Sequence, residues 1–334
     1  MRQMRASFGL EKAWVQEDAR MAWWTRFRRV DGSKAANDSV LHEAEWAVRV
    51  DGVARQHLEE DIANRWLGLT RPAIHFTTAG EGDHPLVRLG GRPLAPADFS
   101  WPEWEGHGPL SYIAGLDLQA VAGAGLEHGL PLPDTGWLHF FYFDGSYDNF
   151  DSVVGPWDPA SLAGTRVIHV PGDAAPLAEA VPPDGVLEFG QRNLAGQQVV
   201  TFPGWEHPVL RKEFQPPGAD HCRWMSHPVN SDAFTEALSD LYPDGPRHQL
   251  GGWADPVQGP VELEVVEAAG GTPVIESTTA DEDAALRWNL LLQIDTDHDA
   301  EMMWGDCGML YYMTDAGHDE RITAERTSFT WQCG

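Results

Sequence analysis

Apolar positions along the chain change their period near residue 70. Between Ser39 and Leu69 they recur at helical spacing: Leu58, Ile62 and Trp66 fall every four residues on one face, and Gly68 stands where such a helix would stop. Beyond that point the runs become short, alternating or wholly apolar, as in "AIHFTT", "LSYIAGLDL", "WLHFFYFD" and "TRVIHV", each fenced by Gly and Pro. This is the signature of strands joined by turns. "SDAFTEALSDLY" brings back a helical pattern with Ser231 as its N-cap, and "VELEVVE" reads as a further strand. The pattern predicts a mixed α+β fold of largely antiparallel sheets, with a helical N-terminal region.

Three elements recur in one order. "LGGRP" at 89–93 is answered by "LGGWADP" at 250–256, "YIAGLD" at 112–117 by "LLLQID" at 290–295, and "GWLHFF" at 136–141 by "GMLYYM" at 308–313. They predict two pseudo-symmetric halves, about 89–144 and 250–315, inside a body spanning 71–334, with 1–70 a basic tail and helical region. In the second copy, strict alternation places Trp288, Leu290, Leu292 and Ile294 on one face. Asn289, Leu291, Gln293, Asp295 and Asp297 fall on the other, which is too polar for a plain core and is expected to meet solvent or line a cleft between the halves. Trp101, Trp253 and Trp304, with Asp117 and Gln293, are the candidate binding residues of that cleft.

Charge narrows the partners. The chain carries 51 acidic against 23 basic residues, a formal −28. Such a surface repels nucleic acid and anionic membranes and suits a basic protein partner. The first 30 residues are the exception: seven basic against three acidic residues give +4, so the remainder carries −32. Their "MAWWTRFRR" stretch reads as a tail or as a docking segment for a partner or membrane surface. There is no apolar stretch of membrane-spanning length and no signal-peptide core, and Cys222, Cys307 and Cys333 are scattered without CxxC spacing. A cytoplasmic location is expected.

The acidic run after "LLLQID" carries the candidate chemistry. Asp295, Asp297, Asp299, Glu301 and Asp306 occupy positions 1, 3, 5, 7 and 12 of a loop, the spacing with which EF-hands converge oxygen ligands on calcium. Ala300 stands where Gly is wanted, Asp306 is shorter than the usual bidentate Glu, and both flanks read as strands. The alternative is a solvated hairpin loop that keeps an edge soluble. "DHCRWMSH" groups His221, Cys222 and His227 near Asp220, but matches no zinc spacing. His248, beside the second Gly-Gly turn, is a candidate general base if paired with Asp295 or Asp306. No nucleophile elbow, HExxH, P-loop or GxGxxG occurs.

The segments "RPAIHF", "LGGRP", Trp101-Pro102, "HQLGGWADPVQ", "WNLLLQIDTD" and "MWGDCGMLYYM" resemble the YwqG-like family of uncharacterised bacterial proteins, over roughly residues 70–334. The resemblance implies one compact α+β domain with antiparallel sheets and brings no catalytic residues with it. The expectation is therefore an acidic cytosolic protein that binds a basic protein partner without catalysis, in the manner of an immunity protein neutralising a basic toxin. The alternative is an acid–base or metal-assisted hydrolase built on the 295–306 loop.

Overall fold

The computed structural model describes residues 43–174, 176–216, 218, 221–242, 245–315 and 326–334. The basic stretch at 1–30 lies outside them, as do Asp220 and the side chain of His221. The helical pattern before residue 70 is realised as two helices, α1 (Glu43–His57) and α2 (Glu60–Leu67). Glu59, at φ −59° and ψ 150°, breaks the helix between them.

Among the described residues, ten strands form one antiparallel sheet: β1 (Arg71–Thr78), β2 (Val87–Leu89), β3 (Ser111–Asp117), β4 (Trp137–Tyr142), β5 (Thr165–Val170), β6 (Arg192–Thr201), β7 (His248–Leu250), β8 (Asn289–Asp295), β9 (Met309–Thr314) and β10 (Thr327–Gln332). Their order is β10-β9-β8-β7-β1-β6-β2-β3-β4-β5. The four-stranded meanders on either side of the β1–β6 pair share one register. Leu89 pairs with Ala114 and Leu250 with Leu292; Ala114 pairs with Phe140 and Leu292 with Tyr312. Both meanders carry a bulge at the same place, between Tyr112 and Ala114 and between Leu290 and Leu292. The strand ends match as well, with Asp117 opposite Trp137 and Asp295 opposite Met309.

The halves interlock. β1 leads into the first meander yet pairs with β7 of the second, and β6 leads into the second yet pairs with β2 of the first. Each half thus completes the other's ladder. Both meanders open on a Gly-Gly turn whose residues have φ between +61° and +71°, where a Cβ would be strained. At Gly251 it would also lie 2.1 Å from the His128 carbonyl oxygen.

The sheet curls until its two ends meet. Phe140 of β4 and Tyr312 of β9, which hold equivalent places in the two halves, touch edge to face at 5.0 Å. Leu89, Leu116, Leu250 and Leu310 are buried in the same core. The space between the halves is therefore packed with side chains and is not the cleft expected. Trp304 is part of this core.

The outer face is covered by helices. α1, α2, α4 (Pro208–Phe214) and α5 (Asp232–Ser239) pack over the central strands, α3 (Leu118–Ala124) follows β3, and α6 (Val261–Ala268) and α7 (Thr279–Ala285) lie towards β8–β10. Three expectations change here. "VELEVVE" is helical: Val261 and Val265 share one face against Leu290 and Tyr311, while Leu263 and Val266 turn to Ala285. Its acid–apolar alternation imitates period two, but Pro260 in extended conformation starts a helix. The bulge at Leu291 breaks strict alternation, so Leu290 joins Met309 and Met313 instead of the Leu292–Ile294 face. Ser231 does precede α5, but it caps through its carbonyl, which accepts from the amides of Phe234 and Thr235.

Candidate functional site

A row of polar side chains runs across six strands of the outer face: Gln197, His75, Gln249, Gln293, Tyr311 and Thr330 are successive cross-strand partners. Their chemistry explains a polar yet buried sheet face. Beyond β7, the segment 251–258 crosses it without a ladder of its own, and its backbone groups need partners. Gln249 Nε2 donates to the carbonyls of Gly251 and Trp253 at 2.9 and 2.8 Å. Gln293 accepts from the Asp255 amide at 2.9 Å and donates to the Arg247 carbonyl at 2.8 Å. Tyr311 Oη donates to the Asp255 carbonyl at 2.8 Å. The row pins this segment in place.

The pinned segment is one wall of a groove. The others are the turn 202–207, between β6 and α4, and the inner side of α5. Its larger chamber spans ≈ 680 Å³ with the adjoining open solvent included, and Phe202, Trp205, Phe234, Tyr242 and Trp253 are among its walls. At the base Arg247 Nη1 meets Asp255 Oδ2 at 2.7 Å, and its guanidinium lies 4.5 Å from the centre of the Tyr242 ring. Burial alone would lower the Arg247 pKa, but the Asp255 charge and hydrogen bond outweigh it and raise it. Trp253 donates its indole N–H to the Leu69 carbonyl at 2.7 Å and carries the Arg71 guanidinium 3.4 Å from its ring centre.

The groove continues past Gly204, Trp205, Ala254 and Pro256 into a smaller recess, ≈ 290 Å³ with open solvent included, beside Glu206, His207 and Glu262. His207 Nε2 and Glu262 Oε2 lie 3.4 Å apart, both side chains nearly inaccessible. Burial pushes the Glu262 carboxyl up to about 7 and the His207 imidazole down to about 3. At neutral pH the imidazole is neutral and burial opposes ionisation of the carboxyl, so the contact is not an ion pair.

The acidic loop is organised differently from a converging cage. Asp297 points inward and is 1% exposed. Its Oδ2 bonds the Arg192 guanidinium and, at 3.1 Å, His248 Nε2. Its Oδ1 accepts from the amides of Asp299 and Ala300 at 3.0 and 3.2 Å. Burial would push this carboxyl up, yet the His248 hydrogen bond, the Arg192 charge and the Ala300 amide hold it down at about 2. Asp295 accepts from the Arg247 and Thr296 amides. Asp299, Glu301 and Asp306 are exposed. Among the described residues no group of three or more His, Cys, Asp or Glu side chains is placed to hold a metal ion. His248 is 2% exposed and uses both ring nitrogens, Nδ1 accepting from the Asp295 amide at 3.1 Å.

Of the candidate binding residues, Trp253 and Gln293 come together, the first as a groove wall and the second as the clamp behind it. The others stand apart. Trp101 donates to the Leu110 carbonyl and packs on Phe141. Asp117 caps α3, accepting from the Ala120 amide at 3.0 Å. Trp304 donates to the Asp295 carbonyl from within the core. Trp205, Tyr242, Arg247 and Asp255 were not singled out from the sequence. The available signal was Trp205, a large aromatic in a turn between Pro203 and Pro208, where no core demands it.

A family model described as "Domain of unknown function (DUF1963)" matches residues 87–333, from β2 to the last strand and through both loop walls of the groove. No curated protein matches the chain. Among the described residues, no helix is long and apolar enough to cross a membrane.

Proposed function

We propose a binding function for this chain, which belongs to the DUF1963 family of domains of unknown function: without catalysis, its groove takes a cationic, aromatic-bearing segment of a basic protein partner. One observation carries the reading. The aromatic chamber lies beside carboxylates of α5 that have no cation of their own among the described residues. Thr235 and Ser239 line the groove, and Asp232, Glu236 and Asp240 follow them around the exposed side of α5. Among the described residues no basic side chain is bonded to these three carboxylates. A ring stacked in the chamber with an Arg or Lys on the rim satisfies both surfaces. Of the groove walls, "HQLGGWADPVQ" at 248–258 carries part of the resemblance to the YwqG-like bacterial proteins, and this reading keeps that resemblance together with the expected cytoplasmic setting. An immunity-like role towards a basic toxin is one form such a partner takes.

The test is a fluorescence titration of the full chain with a synthetic Arg-rich peptide containing one Trp, at low and at high salt. Binding should weaken as the Debye length shrinks from about 10 Å at 0.1 M to about 3 Å at 1 M. It should also drop at least about tenfold for Trp205→Ala and for Asp232→Lys combined with Glu236→Lys, a loss of about 1.4 kcal/mol. Affinity that ignores both variants would mean that the net charge, not the groove, captures the peptide. The hydrolase reading gains nothing from His248 and Asp297, which are closed off from solvent and already bonded to each other.

A further inference from the structure

The groove opens beside the point where the described chain begins. α1 and α5 run antiparallel: His57 at the end of α1 lies 6.0 Å from Phe234, and Trp46 in the first turn of α1 meets Tyr242 edge to face at 5.3 Å. Tyr242 is a groove wall. The 42 residues that precede α1 therefore join the body at the Tyr242 end of the groove. Among them, residues 20–29, "RMAWWTRFRR", combine Trp23, Trp24 and Phe27 with four arginines and no acid. That is the chemistry to which the chamber and its rim are complementary. The 14 steps from Arg29 to Glu43 span up to about 46 Å when extended, at roughly 3.3 Å per residue. The connection is thus long enough to lay the segment along α5. It is also polar, with Gly32, Ser33, Asn37 and Ser39.

We infer that residues 20–29 occupy the groove of their own chain, with aromatic rings in the chamber and arginines along Asp232, Glu236 and Asp240. This rests on the binding reading above and adds that a partner must displace the chain's own segment. The acidic body and its basic stretch are then one self-complementary device. Without its tether the segment would be a weak ligand; tethered, it acts at an effective concentration of roughly 1 mM.

The experiment compares the full chain with its Arg26→Glu, Arg28→Glu, Arg29→Glu variant. Hydrogen exchange at low salt should be several-fold faster in 202–206 and 232–242 of the variant and unchanged in the core strands. A synthetic peptide of residues 20–29 should bind the variant about tenfold more tightly than the wild type, if its own Kd is about 0.1 mM against that effective concentration. Equal exchange and equal affinity would overturn occupation in cis. The binding reading would still stand if Trp205→Ala abolished peptide binding, and would fall with the inference if it did not. Two further results would also overturn the inference. One is a concentration-dependent dimer in sedimentation that the variant abolishes, since the segment then docks on a second copy. The other is capture by vesicles of anionic lipid with groove exchange unaltered by the variant, since the segment then serves a membrane.

Discussion

Replacing Asp297 by Asn keeps the shape of the side chain and removes its charge. The residue is 1% exposed and bonded to Arg192, His248 and two loop amides. Removing one member of a buried pair costs about 3–5 kcal/mol because the partner's charge is stranded. Arg192 is 16% exposed and regains some hydration, which favours the lower end, about 3 kcal/mol. The titration agrees in size: a carboxyl held at about 2 instead of its ordinary 3.8 corresponds to about 2 kcal/mol. Its folded-state pKa is depressed, so this stability is present above pH 4 and is lost as pH falls towards 2. Urea unfolding followed by tryptophan fluorescence reads the effect as a midpoint lowered by about 1 M, taking a slope of about 3 kcal/mol/M for a chain of this size. The loss should be the same in chelator and in calcium, and the variant's stability should no longer decline between pH 4 and 2 on this residue's account. A loss under about 1 kcal/mol in chelator would refute the ion-pair argument, since it lies below the cost of any stranded buried charge. Should calcium stabilise the wild type over matched sodium and not the variant, the loop is the cation site that its spacing suggested.

Two further predictions follow from the groove. Burial raises Glu262 from 4.5 to about 7, so its contribution is full below pH 4.5 and is lost as pH rises through 7. Glu262→Gln should match the wild type at pH 4 and exceed it by about 1–3 kcal/mol at pH 8; a less stable variant at pH 8 would show that the ionised carboxylate has a partner there. Gln293→Leu strands the Asp255 amide and the Arg247 carbonyl, a cost of about 2–4 kcal/mol. Hydrogen exchange should quicken across 247–258 and peptide affinity should fall with it, whereas an unchanged exchange pattern would mean that the polar row does not hold this wall.

Much of the architecture was legible because it is written in local chemistry. Period-two runs, Gly-Gly turns that require positive φ, and an aromatic strand after each copy are short-range signals, and they fixed the mixed class and the paired halves. The limits were also local. "VELEVVE" satisfies both periods over seven residues, and a bulge such as that at Leu291 leaves no mark in the composition of its strand. What the tertiary structure alone decided involves residues far apart. The exchange of β1 and β6 between the halves depends on which edges are free once both meanders exist. The curl that brings Phe140 to Tyr312 follows from sheet twist accumulated over ten strands. The acidic loop could be read as a ligand cage because spacing records side-chain type and not direction. Only the fold brought Arg192 and His248 to Asp297, from 105 and 49 residues away, and so relieved the repulsion from inside. The groove was illegible for the same reason: its walls at 202–207, 232–242 and 247–258 meet only because buried backbone groups of one segment had to find Gln249, Gln293 and Tyr311 on the sheet.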